Sequence, residues 1–139
     1  MKGLLRKSDK DTEKQGRVRI LGIGVDRLTL EQAKKNIYDR WYKKDRVFHV
    51  VTANAEMIYH GSRDRELARI INKAEMVTAD GAGVVLASRI LGDPVPERVT
   101  GYDLMLECLQ EAAGKGIPVY FLGARPQVLE QAVNKTQKR

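Results

Sequence analysis

A chain of 139 residues, 42% apolar and 31% charged, has the length and composition of one soluble domain with a modest core, which excludes a disordered chain. One cysteine, Cys108, excludes an internal disulfide framework and fits a reducing compartment; two histidines outside any cluster offer no metal-site spacing. The charge of +7 admits anionic lipid, nucleic acid or phosphorylated substrates, and no apolar run approaches the roughly twenty residues that span a bilayer.

Residues 1–16 are polar, carry an excess of basic charge and show no periodicity, so a flexible basic leader is expected ahead of an α/β domain over 17–139. Its apolar stretch is too short for a signal peptide. The run Val18-Arg19-Ile20-Leu21-Gly22-Ile23 predicts a first strand. Thr29-Leu30-Glu31-Gln32 has the spacing of a capping box, and Leu30, Ala33, Ile37 and Trp41 give the helix behind it an apolar stripe.

Val47-Phe48-His49-Val50-Val51 predicts the second strand, with His49 a core or supporting residue. It passes through Thr52-Ala53-Asn54-Ala55-Glu56-Met57 into a short helix. A further helix carries Leu67, Ile70, Ile71 and Ala74 on one face. Residues 76–78 predict the third strand, which turns through Thr78-Ala79-Asp80-Gly81-Ala82-Gly83 into a helix over 84–91. That helix is apolar on nearly every side, so burial is expected, with a subunit contact or a lipid-facing patch as alternatives.

Gly92-Asp93-Pro94-Val95-Pro96 breaks the chain. Thr100 is placed to cap a helix that Gly114 to Gly116 would stop. Pro118-Val119-Tyr120-Phe121-Leu122 predicts a fourth strand, and Pro126 stands at the first position of the last helix. Repeated strand-helix units predict a Rossmann-like, mostly parallel sheet with helices on both faces. Four strands leave the last edge unsealed, so a C-terminally truncated domain is expected.

Two strand-to-helix turns on one sheet edge make that edge the candidate site. Asp80 at the mouth of a strand is placed to accept a proton from a substrate hydroxyl, or to cap the next helix. Gly81 and Gly83 let backbone approach a phosphate. Thr52 and Asn54 offer a hydroxyl and an amide to sugar hydroxyls, with capping as their structural alternative. Arg98 is a candidate for charge on a departing diphosphate, although a solvated loop arginine is the commoner fate of such a residue, and Arg125 is a weaker candidate for the same role. Gly22-Ile23-Gly24 and Gly81-Ala82-Gly83 start like dinucleotide fingerprints, but Arg27 and Leu86 hold the third glycine positions, so no nicotinamide or flavin cofactor is expected. No basic stripe interleaved with aromatics indicates nucleic acid.

The series GIGVDRLT, VVTANAEM, VTADGAGV, ERVTGYDL and VYFLGARP resembles the WecG/TagA/CpsF glycosyltransferases, nearest their TagA type, from about Ile20 to the end. The resemblance implies a metal-independent, inverting transfer of N-acetylmannosamine from UDP-N-acetylmannosamine. The implied acceptor is the 4-hydroxyl of N-acetylglucosamine on undecaprenyl diphosphate, giving a β-1,4 linkage in wall teichoic acid synthesis. It implies Asp80 as general base, Thr52 and Asn54 lining the pocket, and Arg98 at the leaving diphosphate. It further implies a cytoplasmic protein held peripherally at the inner face of the membrane. A homo-oligomer is a further expectation, drawn from the apolar helix over 84–91. Family members continue past residue 139, so weak or absent activity of this chain alone is expected. The alternative is a non-catalytic binding module of the same fold. The reading requires Asp80 and Arg98 to share a cleft, facing opposite ends of the exchanged bond.

Overall fold

A computed structural model describes residues 16–43 and 46–137. The expected leader lies outside these residues except for Gly16. The chain forms two compact units, one ending at Leu104 and one starting at Met105.

The first unit opens with β1 (Arg17–Ile20) and β2 (Ile23–Asp26), an antiparallel hairpin. The single strand expected over 18–23 is therefore two, because the chain reverses at Leu21-Gly22. Both turn residues have positive φ, 49° and 86°, which matches the right-handed twist of a two-residue hairpin. Glycine adopts this freely, and Leu21 is forced into it by the pairing on either side.

Helix α1 (Leu30–Lys43) starts at the predicted capping box: Gln32 N donates to Thr29 Oγ1 at 3.2 Å and Thr29 N donates to Gln32 Oε1 at 2.9 Å. Strand β3 (Val50–Ala53) begins later than expected. Val47 and His49 are exposed ahead of it, so His49 is not a core residue. The His49 amide instead donates to Glu75 Oε2 at 2.8 Å.

Helices α2 (Ala55–Arg63) and α3 (Arg65–Lys73) return the chain to β4 (Met76–Ala79), which pairs parallel with β3. This β3-α2-α3-β4 crossover is the α/β unit that the sequence predicted, and it holds the parallel pairing of the described residues. Helices α2 and α3 pack against β2, and α4 (Ala82–Ile90) packs against β1. Val18, Ile23, Val25, Val77, Val84 and Val95 form the buried centre.

One charged clamp fastens the hairpin to the crossover. Arg17 holds Asp26 through two nitrogens, at 2.8 and 3.0 Å, and also donates to the carbonyls of Asn72 and Ala74 at the end of α3. Asp26 Oδ2 accepts in turn from the Val77 amide at 2.6 Å, joining β2 to β4.

Helix α4 corrects an expectation. Val84 and Ser88 are buried, but Leu86, Ile90 and Leu91 are exposed, Ile90 to 77%. A nine-residue helix beside one hairpin has neighbours on one side, so an all-round apolar sequence leaves one face uncovered.

Helix α5 (Gly101–Lys115) runs from the first unit into the second. It ends as predicted, in a Schellman motif: Gly116 has φ 64°, Ile117 N donates to Ala112 O and Gly116 N to Ala113 O. The strand expected over 118–122 is absent from the described residues. A strand exists through its ladder; this segment forms none, and Leu122 is 89% exposed. Helix α6 (Pro126–Gln137) starts at Pro126, as expected.

Candidate active site

Asp80 follows β4 directly, and the β3–β4 pairing extends one step through the Asp80 amide, which donates to Ala53 O at 2.9 Å. This places the ends of TANAE and TADG side by side. The segment 98–101 lies along the same edge, because the Val99 amide donates to Ala79 O at 2.9 Å.

The Asp80 side chain does not cap α4. The N-cap of that helix is Gly81, at φ 136°, and no side chain caps its first amides. Asp80 Oδ2 instead accepts from the Gly101 amide at 3.0 Å, the first residue of α5. Thr100 caps the same helix as predicted: its hydroxyl accepts from Asp103 N at 3.0 Å and donates to Asp103 Oδ2 at 2.6 Å. The half-buried Asp80 carboxylate is thus oriented through one oxygen, and Oδ1 has no hydrogen-bond partner among the described residues.

Thr52 closes the other side of this turn. A Cβ on Gly101 would lie 2.8 Å from Thr52 Oγ1, 3.2 Å from Cγ2 and 3.3 Å from Cβ, so the start of α5 fits against β3 only as glycine. In register beside Thr52 is Thr78, 1% exposed, whose Oγ1 has no hydrogen-bond partner among the described residues.

The predicted residues therefore divide. Asp80 and Thr52 meet at Gly101, which the sequence reading did not single out, although its place in ERVTGYDL was visible. Asn54 lies at the same edge, with its Oδ1 occupied in accepting from Met57 N at 2.8 Å, the cap of α2. Arg98 is exposed and borders a shallow, solvent-open cleft of about 390 Å³ with Arg89, Leu86 and Pro96, also exposed, and the half-buried Val85. The common cleft expected of Asp80 and Arg98 is not found: Asp80 is not among the residues lining this one, although Ala82, two residues on, is. Arg89 is a second cation there that the sequence reading missed; four-residue spacing from Val85 on a helix was its one visible signal. Arg125 belongs to the second unit, where it is exposed and its carbonyl accepts from Val128 N and Leu129 N at the start of α6.

The chain is 36% identical over 124 residues to the N-acetylglucosaminyldiphosphoundecaprenol N-acetyl-beta-D-mannosaminyltransferase of Staphylococcus aureus strain NCTC 8325 / PS 47, and to those of strains COL and MRSA252. The match takes 88% of this chain and 49% of each relative, so the chain spans about half the length of the curated relatives it matches. The model of the glycosyl transferase WecG/TagA/CpsF family matches residues 18–139, which include the hairpin except Arg17, the crossover, the Asp80 turn and both arginines of the cleft. On that coverage, the chain belongs to the WecG/TagA/CpsF family of glycosyl transferases.

Proposed function

We propose that this chain carries the catalytic edge of an inverting transferase that moves N-acetylmannosamine from UDP-N-acetylmannosamine to undecaprenyl-diphosphate-linked N-acetylglucosamine. The bond formed is β-1,4 to the 4-hydroxyl, the linkage unit of wall teichoic acid. The observation that carries this reading is the Asp80 carboxylate, held through one oxygen by Gly101 N at 3.0 Å with the other oxygen available.

The chemistry follows from one in-line displacement. As the acceptor oxygen attacks the anomeric carbon, its proton passes to Asp80 Oδ1. The bond from that carbon to the donor diphosphate breaks, and the guanidinium of Arg98 stabilises the charge that leaves with UDP. Arginine supplies a permanent positive charge, so transfer in this reading needs no metal cofactor. Thr52 and Asn54 flank the sugar, and Gly81 lets backbone approach a phosphate.

The acceptor lipid sets the place of action at the inner face of the cell membrane, with peripheral attachment. Among the described residues no helix is long and apolar enough to cross a membrane. The exposed Leu86, Ile90 and Leu91 support a surface contact on α4, with the bilayer or with a second copy.

The test is transfer of radiolabelled sugar by a chain that continues this sequence to the full length of its relatives. Asp80→Asn is expected to lower turnover by about 10²-fold or more while acceptor binding is kept. Unchanged turnover overturns the assignment of the base.

A further inference from the structure

We propose that Arg89 and Arg98 together form a diphosphate-binding cleft, in which Arg89 is a second cationic contact beside the arginine assigned to the leaving group. The choice of diphosphate as ligand rests on the transferase reading above; the cleft itself rests on geometry.

One wall of the cleft is a single stripe of α4. Ala82, Val85, Leu86 and Arg89 lie at i, i+3, i+4 and i+7, so they share one face about 10 Å long. The opposite wall is the segment 96–98. Both guanidiniums are exposed, and neither has an ion pair or hydrogen bond among the described residues. Five other arginines of the unit are engaged, Arg17 with Asp26, Arg27 with Asp93, Arg69 with Glu66, and Arg40 and Arg63 over aromatic rings. Arg46 and Arg65 also have no side-chain partner among the described residues, so what sets Arg89 and Arg98 apart is that they border one depression. An anion held between them would be bound by two permanent positive charges with the donor geometry that suits phosphate oxygens.

The ends of the stripe favour the same ligand. The amides that open α4 beside Ala82 have no side-chain cap, and they present the positive end of the helix. Glu97 is the carboxylate of the lining, and its Oε1 is occupied in accepting from the Leu30 amide. Val85, Leu86 and Pro96 supply apolar wall, which suits a diphosphate bearing an organic substituent rather than a free inorganic ion. Two such esters enter the proposed reaction, the nucleotide sugar and the lipid-linked acceptor.

The experiment is calorimetric titration of the chain with inorganic pyrophosphate, UDP and farnesyl diphosphate. All three are expected to bind, and Arg89→Gln is expected to weaken each by about tenfold, equivalent to about 1.4 kcal/mol, with Arg89→Lys retaining part of the affinity. Tighter UDP binding assigns the cleft to the donor, and tighter farnesyl diphosphate binding to the acceptor lipid. Affinities within twofold of wild type for Arg89→Gln, or no binding of any ligand at millimolar concentration, overturn the proposal. Because no turnover is read, failure here and failure of the Asp80 assignment are separate results.

Discussion

The amide of Gly101 donates to Asp80 Oδ2 at 3.0 Å across twenty-one positions of sequence, while a Cβ on the same glycine would fall 2.8 Å from Thr52 Oγ1. The first turn of α5 thus orients the candidate base, and it does so only because residue 101 lacks a side chain.

Gly101→Ala tests that fit. The added methyl meets three atoms of a β-branched side chain with little rotameric freedom, the nearest at 2.8 Å. Loss of about 1–3 kcal/mol in urea unfolding is expected, with a fall in turnover beyond what the stability loss explains. Gly83→Ala is the control. Its Cβ would touch only Ala55 Cβ, at 3.6 Å, within α4, so a gain of up to about 1 kcal/mol is expected.

Asp26→Ala removes the acceptor of both Arg17 and the Val77 amide. The side chains of Arg17 and Asp26 are only 7% and 17% exposed, so an unpaired cation is left in a poorly solvated place. A loss of about 3–5 kcal/mol is expected by denaturant titration. A loss under 1 kcal/mol would show that water reaches the guanidinium readily.

The Arg27–Asp93 pair has comparable geometry, with two contacts of 2.6 Å, yet a different expected weight. Its side chains are 37% and 40% exposed, so solvent screens the attraction. Asp93→Asn is expected to cost less than about 1 kcal/mol, and the cost should shrink as salt is raised.

Thr78→Val replaces a buried hydroxyl without a partner among the described residues by a methyl of similar size. Stability is expected to stay level or rise by about 1 kcal/mol, read as a higher melting temperature. A loss larger than 1 kcal/mol would mean that the hydroxyl is hydrogen-bonded in solution.

Several features of the fold were readable without coordinates because their causes lie within a few residues. The Thr29–Gln32 box, the Thr100 cap, the Gly116 stop and Pro126 at the head of α6 all satisfy backbone groups one turn away. The parallel crossover followed from apolar runs separated by helical periodicity. Asn54 is legible in a different sense: its position suits a helix cap as well as a sugar contact, and the cap is what its side chain makes.

What sequence alone determined, then, is where elements begin and end, which turns carry polar groups, and through its linked motifs the family. Tertiary structure alone decided that residues 17–26 fold back on themselves, since Leu21 takes positive φ only under the constraint of pairing on both sides. It also decided that Arg17 and Asp26 clamp the hairpin to β4, that α4 leaves Leu86 and Ile90 uncovered, and that Asp80 serves α5 instead of α4. The reason is physical: a cap is a contact between near neighbours along the chain, whereas burial and ion pairing depend on which distant segments chain packing brings within a few ångströms.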